Sequence, residues 1–224
     1  MKYFIANWKA RKNLSQLDTW IKIFTEAINE NSQLSLKLAE NQIRIIICPP
    51  FSLLSALKNN LPKIPNIFLG AQDISQFDEG NFTGEITAKN LRELAKYTII
   101  GHSERRKYFN EDGNILTQKI LMAKKYSLEP IFCLRDEKDL LPENPHLIAY
   151  EPVAAIGTGQ NESPEKVLSM KKRLNLPDKN VFIYGGSVDE NNVQEYLNTK
   201  EINGFLIGSA SLDPQQFYEI IKLA

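Results

Sequence analysis

The segment 149–159, AYEPVAAIGTG, carries the first candidate for chemistry. It begins at the end of a short apolar stretch, presents one carboxylate at Glu151, and continues through Pro152 to Gly157 and Gly159. A carboxylate at the tip of a strand can act as a general base, and a loop bounded by proline and glycine can close as a lid that excludes water. A glutamate before a proline is also a common salt-bridge partner, so this segment alone leaves both interpretations open.

Two glycine-bearing turns in the C-terminal part of the chain indicate a phosphate site. Gly185-Gly186-Ser187 and Gly208-Ser209 each follow a short apolar stretch. Backbone N–H groups in such turns, aided by the N-terminus of a following helix, bind an anion without a charged side chain. One such turn would be an ordinary connection that needs a positive φ, but two in succession, each with a serine, favour phosphate.

His102, Lys9 and Asn7 complete the set of candidate polar groups. His102 directly follows an apolar stretch, where the positive end of a helix would lower its pKa and keep it a neutral hydrogen-bond donor. Lys9 could offset negative charge on a substrate oxygen, or it could be only a salt-bridge partner of Glu104. No ligand cluster accompanies His102 or the other histidine, His146, so we expect no metal site.

A carboxylate base, a neutral donor, a cation and a phosphate site together suit one reaction type. That reaction is the abstraction of a proton beside a carbonyl group, with an enediolate intermediate. A lid serves this chemistry because it keeps water away from an intermediate that can expel its phosphate. The fold must then bring these residues together, since they lie far apart along the chain.

Eight short apolar stretches position the candidate residues and predict eight strands. Their bounds are 3–8, 43–48, 67–71, 97–101, 130–134, 147–151, 181–184 and 205–207. Continuous apolar runs are typical of parallel strands that are covered on both faces, and amphipathic helical patterns alternate with them. Only the connection 135–146 is too short and too interrupted by proline for a good helix.

This alternation predicts an α/β fold, a single closed (β/α)₈ barrel domain over residues 1–224, with the helix between strands five and six shortened or missing. All strand tips would then meet at one mouth, where active sites lie in this fold. A doubly wound open sheet is the alternative, but no glycine-rich dinucleotide fingerprint follows the first strand.

The composition narrows the classes of partner. Lys and Arg number 27, as do Asp and Glu, so the net charge is zero and no basic stripe indicates a nucleic-acid or anionic membrane surface. No apolar run is long enough to span a bilayer. Cys48 and Cys133 lie in apolar strand-like runs, which fits reduced core thiols in a cytoplasmic protein better than a disulfide.

Seven segments, in order, give the chain a resemblance to triosephosphate isomerase along nearly its whole length. They are Asn7-Trp8-Lys9, Gly70-Ala71-Gln72, Phe82-Thr83-Gly84-Glu85, Gly101-His102-Ser103-Glu104-Arg105-Arg106, the segment 149–159, Tyr184-Gly185-Gly186-Ser187 and Gly208-Ser209-Ala210-Ser211-Leu212. The resemblance implies a TIM barrel that interconverts dihydroxyacetone phosphate and D-glyceraldehyde 3-phosphate in glycolysis and gluconeogenesis, without a cofactor. Pairing of a glutamate base with a neutral histidine is the known chemistry of that family.

The resemblance also implies a role for each matching residue. Glu151 would be the base, and His102 would polarise the carbonyl and move protons between oxygens. Asn7 and Lys9 would hold the substrate oxygens, and 152–158 would be the lid. Backbone N–H groups would bind the phosphate at Gly157, Ser187, Gly208 and Ser209.

The remaining implied roles concern support and assembly. Ser103 would hold Glu151 when the lid is open, and Glu104 would orient the site. The long loop 72–85, which begins at Gln72 and ends at Glu85, resembles the dimer loop of the family, with Thr83 reaching into the site of a second copy. The implied assembly is a homodimer.

Four features depart from the family pattern. Ala154 stands in the lid where the family commonly has tryptophan, and Ser209 replaces a usual glycine. Leu134-Arg135-Asp136 replaces a glycine-glutamate continuation after strand five, and the helix after that strand is mostly deleted. None of these departures affects Glu151, His102 or Lys9.

Two other functions fit the same residues. A barrel aldolase would use Lys9 as a Schiff-base nucleophile, which requires a lysine of depressed pKa. A non-catalytic protein that binds a phosphorylated ligand would keep the glycine turns and need no base. The presence of Glu151 and His102 argues against the second of these functions.

Overall fold

A computed structural model describes residues 1–143, 145–152, 161–177 and 179–224. The strands are β1 (Lys2–Asn7), β2 (Ile43–Cys48), β3 (Ile67–Ala71), β4 (Tyr97–Ile100), β5 (Glu129–Leu134), β6 (Leu147–Tyr150), β7 (Val181–Tyr184) and β8 (Gly204–Ile207). They form a closed parallel barrel in which each strand pairs with the next and β1 pairs with β8. The predicted (β/α)₈ barrel is confirmed, and each predicted strand end lies within one residue of the observed one.

Helices surround this barrel in the part of the chain that the structure describes. They are α1 (Leu14–Glu30), α2 (Ser32–Ala39), α3 (Phe51–Asn60), α4 (Ala88–Leu91), α5 (Ser103–Tyr108), α6 (Gly113–Lys125), α7 (Pro164–Arg173), α8 (Val193–Leu197) and α9 (Pro214–Lys222). A short 3₁₀ helix, Ser209–Ser211, lies between β8 and α9. None of these helices has the length and apolar character needed to cross a membrane.

The connection between β5 and β6 contains no helix in its described residues, 135–143 and 145–146. This agrees with the prediction of a shortened or missing helix. Leu141 from the connection packs against the core in place of a helical face, and Lys124 of α6 donates a hydrogen bond to the carbonyl of Glu143 at 3.2 Å. The described residues of the connection therefore pack against the outer face of the barrel and α6 without forming a helix.

Aromatic packing fixes the first strand and helix beside the mouth. Trp8 follows β1 and meets Trp20 of α1 edge-to-face, with ring centroids 4.8 Å apart. Trp20 in turn stacks on Phe24 at 4.6 Å, and Phe24 stacks on Phe217 of α9 at 5.5 Å. Such pairs add to the stabilisation that comes from burial alone. They hold the end of β1, where Asn7 lies, against the outer helices.

The interior of the barrel is apolar and includes both cysteines. Ile5, Ile46, Ile99 and other strand residues pack there with Cys48 and Cys133. Both cysteines are buried and free of disulfide, as predicted. Burial raises the pKa of Cys133, as it disfavours the charged thiolate.

Gly204 tests how tightly β8 closes on β1. A Cβ atom at this position would lie 2.0 Å from the carbonyl oxygen of Tyr3, and the φ angle is +153°, which side chains other than glycine rarely adopt. We expect Gly204→Ala to lower the free energy of unfolding by about 3 kcal/mol or more, measured by urea denaturation.

Gly113→Ala is the matched control, since the nearest atom to its Cβ would be Leu140 Cδ1 at an ordinary 3.6 Å. It should change stability by about 0.5 kcal/mol or less. Equal midpoints for the two variants would contradict the closure at Gly204.

Candidate active site

A cavity of about 310 Å³ opens at the C-terminal ends of the strands. It brings together every described residue predicted to contact substrate: Asn7, Lys9, His102, Glu151, Ser187, Gly208 and Ser209. Gly157 and the lid residues 153–158, with Ala154 among them, lie outside the described residues. Among the described residues, no cluster of His, Cys, Asp and Glu is arranged to hold a metal ion.

Lys9 is held in a strained backbone conformation at the wall of the cavity. Its φ angle is +52°, which is uncommon for a residue other than glycine and is maintained only when the surroundings enforce it. The side-chain oxygen of Asn7 accepts a hydrogen bond from the Lys9 N–H at 3.1 Å, and the Gln72 amide donates to the Lys9 carbonyl at 2.9 Å. The Lys9 ammonium lies 2.6 Å from a carboxylate oxygen of Glu104.

The contact of Gln72 with Lys9 has no signal in the sequence. Gln72 begins the loop that resembles a dimer loop, yet its side chain faces the interior and also donates to the carbonyl of Cys48 at 2.9 Å. Gln72, which follows β3, therefore links the Lys9 backbone to the end of β2. Gln216 and Asp189 also line the cavity without having been predicted, because nothing in their local sequence distinguishes them from helix-terminal polar residues.

His102 caps α5 with its own ring. The backbone N–H of Glu104 donates to Nδ1 at 3.2 Å, so Nδ1 carries no proton in this arrangement. Nε2 lies 2.9 Å from Oε1 of Glu151, and the ring proton must therefore be on Nε2. The His102 ring is almost fully buried, which leaves Nε2–H as its only donor toward the cavity.

Glu151 is also buried, at 1% exposure, and three groups stabilise its charge. Besides His102, the backbone N–H of Ser103 donates to Oε2 at 3.2 Å, and the buried thiol of Cys133 also helps to lower the pKa of the carboxyl. The Ser103 hydroxyl itself finds no partner among the described residues. Ser103 thus contacts Glu151 through its backbone.

The two partners change each other's protonation. Burial raises the pKa of Glu151, but His102, the Ser103 N–H and the Cys133 thiol outweigh it and leave the pKa below its ordinary value. Burial lowers the pKa of His102, but the Glu151 carboxylate, aided by Glu104, leaves it above its ordinary value. The sequence predicts a lowered pKa for His102; the structure gives the opposite direction because Glu151 contacts the ring.

The two glycine turns line the cavity beside Glu151 and Lys9. A Cβ atom at Gly185 would lie 2.8 Å from Cγ of Glu151, so a glycine at this position leaves room for the Glu151 side chain. A Cβ atom at Gly208 would lie 3.5 Å from Cε of Lys9. The turn after β7 is held from outside, since the Asn192 amide donates to the Ser187 carbonyl at 2.9 Å. The turn that contains Gly208 lies beside the ammonium group of Lys9.

Three tyrosines contact the chain just after residues 153–160. The Tyr184 hydroxyl accepts from the Glu162 N–H at 2.8 Å, and the Tyr150 hydroxyl lies 3.1 Å from the Glu162 carboxylate. The Asn161 amide donates to the Tyr196 hydroxyl at 2.7 Å. These bonds fix the position at which the chain returns to α7.

Comparison with known proteins gives one consistent result. Residues 2–224 match the family described as "Triosephosphate isomerase". A protein of that name from Mesomycoplasma hyopneumoniae strain 7448 is 39% identical over 244 aligned residues, covering 98% of each chain. Those from Dictyoglomus thermophilum and Gloeothece citriformis are each 36% identical, covering 99% of this chain and 98% of their own.

The pairing of His102 with Glu151 predicts a titration. Replacing Glu151 by Gln removes the charge that raises the pKa of His102, so that pKa should fall by about 1 unit or more. The measurement is an NMR titration of the imidazole signals. The chain has only two histidines, and His146 serves as the internal control. An unchanged His102 pKa would show that the carboxylate does not set it.

Proposed function

The chain belongs to the triosephosphate isomerase family and is an isomerase that interconverts triose phosphates, and we propose that Glu151 and His102 carry out this reaction through an enediolate. The substrates are dihydroxyacetone phosphate and D-glyceraldehyde 3-phosphate. The observation that carries the residue roles is the buried contact of 2.9 Å between His102 Nε2 and Glu151 Oε1, inside the cavity. A base and a hydrogen-bond donor are thus already adjacent, with an ammonium group and two glycine turns facing them.

The reaction begins when Glu151 leaves His102 and takes a proton from C1 of dihydroxyacetone phosphate. The electron pair of the C–H bond forms the C1–C2 double bond, and the C2 carbonyl oxygen gains negative charge. Glu151 then returns the proton to C2, which gives the aldehyde. Its low pKa in the resting contact means that the carboxylate is ionised and ready to accept a proton.

His102 acts on the oxygens of the substrate through Nε2–H. Once Glu151 has moved away, its charge no longer raises the pKa of the ring. Burial, the largest influence on this pKa, remains and disfavours the imidazolium, as do the Glu104 N–H at Nδ1 and the charge of Lys9; the Glu104 carboxylate acts in the opposite direction but less strongly than burial. The ring therefore stays neutral while it donates to the carbonyl oxygen and transfers protons between the two oxygens.

The other polar groups bind and orient the substrate. Lys9 and Asn7 hold the oxygens that gain charge, and Glu104 keeps the ammonium in place through the 2.6 Å ion pair. The same ion pair engages the Lys9 nitrogen with a carboxylate, so it is not a free nucleophile of the kind that a Schiff-base aldolase needs. Phosphate binds to backbone N–H groups at Ser187, Gly208 and Ser209, together with Gly157.

We also propose that the protein is a homodimer formed through the loop 72–85. At its tip, Phe77 and Phe82 stack with ring centroids 4.2 Å apart, and each is 40% exposed. Such a pair in water favours burial against a partner. Thr83, next to the pair, is also exposed.

A polar recess at the base of this loop supports the same assembly. A cavity of about 350 Å³ lies there, lined in part by Ser75, Glu85 and Phe109. Glu111 Oε2 is buried without a partner among the described residues, although Lys119 contacts Oε1 at 2.6 Å. A second copy that docks on this face would cover the recess and the exposed Phe109.

The cellular setting follows from the same features. Triose phosphate interconversion is a glycolytic step, and the two buried free cysteines fit a reducing compartment. We therefore propose a cytoplasmic location. The balance of 27 basic and 27 acidic residues gives no reason to add a nucleic-acid partner.

Glu151→Gln tests the role of the base. We expect kcat for isomerisation of glyceraldehyde 3-phosphate to fall by about 10²–10⁴-fold with the fold intact, since the amide cannot accept the proton. The loss corresponds to about 3–5 kcal/mol of transition-state stabilisation. Turnover is measured by coupled reduction of the ketone product.

The matched control for this measurement is Glu137→Gln, a change of the same chemistry at a half-exposed carboxylate that pairs with Arg173 at 3.6 Å. Its kcat should equal that of the parent. Near-normal turnover of the Glu151 variant would remove Glu151 from the role of base.

Thr83→Arg tests the dimer. A bulky charge at the tip of the loop should dissociate the assembly and reduce activity, because it cannot be buried without a counter-ion. Sedimentation velocity gives the mass, and Leu140→Arg, on an 81% exposed side chain outside the loop, is the control that should remain dimeric. A parent protein that sediments as an active monomer would overturn the proposal.

A further inference from the structure

One buried carboxylate, Asp139, ties the loop that replaces the helix between β5 and β6 to two arginines. Asp139 Oδ1 lies 2.6 Å from Nη2 of Arg135 and 3.6 Å from Nη1 of Arg106. Its Oδ2 accepts the backbone N–H of Arg135 at 2.8 Å. The Asp139 and Arg106 side chains are only 6% and 7% exposed. We call these three residues, Arg106, Arg135 and Asp139, the Asp139 cluster.

Arg106 connects this cluster to the active site. Its Nε donates to the carbonyl of Gly101 at 2.8 Å, and its Nη2 donates to the carbonyl of Cys133 at 2.9 Å. Gly101 is the residue before His102, and Cys133 lies on β5, next to the strand that ends at Glu151, where its thiol helps to lower the pKa of Glu151. One guanidinium therefore binds the backbone at the ends of β4 and β5, directly before His102 and on the strand beside the one that carries Glu151.

The charge of Arg106 also reaches the base. Burial lowers the pKa of Arg106, while the charges of Asp139 and Glu151 act to raise it. Asp139 supplies the nearby countercharge, and its own pKa is lowered because Arg135 and Arg106 outweigh the effect of burial. Without Asp139, the field of Arg106 on Glu151 would be uncompensated.

The cluster has no other task in the proposed reaction. None of its members lines the active-site cavity, so none touches substrate. The connection has no helix of its own in its described residues, and side chains from two neighbouring helices, Arg106 of α5 and Lys124 of α6, contact it. Asp139 thus anchors a loop that has no helical backbone hydrogen bonds in its described residues. It does so in part through Arg106, which also binds the backbone at the ends of β4 and β5.

We propose that Asp139 is a positioning residue for the isomerisation: it holds and neutralises Arg106, which fixes the backbone that carries His102 and supports Glu151. This inference rests on the proposed roles of those two residues. It assigns to the shortened β5–β6 connection a function that reaches the reaction without contacting the substrate.

The test is Asp139→Asn, which keeps the shape and removes the charge. The unmasked guanidinium favours the Glu151 carboxylate, so the acid limb of kcat/KM against pH should move to lower pH by about 0.5 unit or more. We expect kcat to fall about 10-fold from misplacement of the base. KM should change less than twofold, because the phosphate turns are untouched.

Arg135→Met gives the opposite sign. It removes a cation that is 38% exposed, so the negative charge of Asp139 is less compensated and disfavours the Glu151 carboxylate. The acid limb of kcat/KM against pH should therefore move to higher pH. Glu137→Gln removes a carboxylate from the same loop and should leave the profile unchanged. Opposite shifts in the two variants are not expected from a loss of stability alone.

The groups that face the pair define what else could move the profile. His102 and Cys133 face Glu151, with Arg106 behind them, and Glu104 and Lys9 face His102. All of them are unchanged in these variants. A shift can therefore be assigned to the cluster.

Unchanged profiles in both variants would overturn the proposal, as would a lower melting temperature with normal kcat. The His102 imidazole titration gives a readout that does not need turnover: in Asp139→Asn, the inflection caused by Glu151 should move to lower pH. A parent protein without isomerase activity would refute the proposed function, while this titration would still support or refute the effect of Asp139 on Glu151.

Discussion

The hydrogen bond between His102 and Glu151 is the contact on which the arrangement of the mouth depends. The two residues follow β4 and β6, the strands on either side of β5, and their side chains meet because parallel strands of the barrel end on the same rim. His102 and Glu151 are buried, at 4% and 1% exposure, and the hydrogen bond between them offsets the free-energy cost of removing two polar groups from water. Barrel register, the Gly185 turn and the cap of α5 all serve to bring these atoms within reach.

The same contact also sets the protonation of both residues in the absence of substrate. Each partner's ionised form is stabilised by the other, and in the reaction that we propose, Glu151 leaves this contact when substrate binds. Lys9, in its strained backbone conformation, is fixed by Asn7 and Gln72, which do not depend on the contact between His102 and Glu151.

Much of this structure follows from the sequence because its governing signals are local. Continuous apolar runs such as those of β2 and β7 specify buried parallel strands, and parallel strands place all their tips on one rim, which is why Glu151, His102 and the glycine turns could be grouped in advance. The direction of the His102 pKa shift could not be predicted, since it depends on a carboxylate from another strand.

The same limit applies to Asp139 and Gln72. Their partners, Arg106 and Lys9, are distant in sequence, and no periodicity links them. Asp139 lies in a connection whose sequence predicts only the lack of a helix, and Gln72 resembles part of a surface loop. Contacts of this kind become visible only when the backbone is in place.

The aromatic packing beside β1 has a spectroscopic consequence. The chain contains two tryptophans, and both lie in the same buried seam between β1 and α1, with Trp8 directly between Asn7 and Lys9. Intrinsic tryptophan emission therefore arises entirely from this seam, which takes in the end of β1 and helix α1. The protein carries a built-in optical probe beside Asn7 and Lys9, and the β5–β6 connection contributes no tryptophan signal to it.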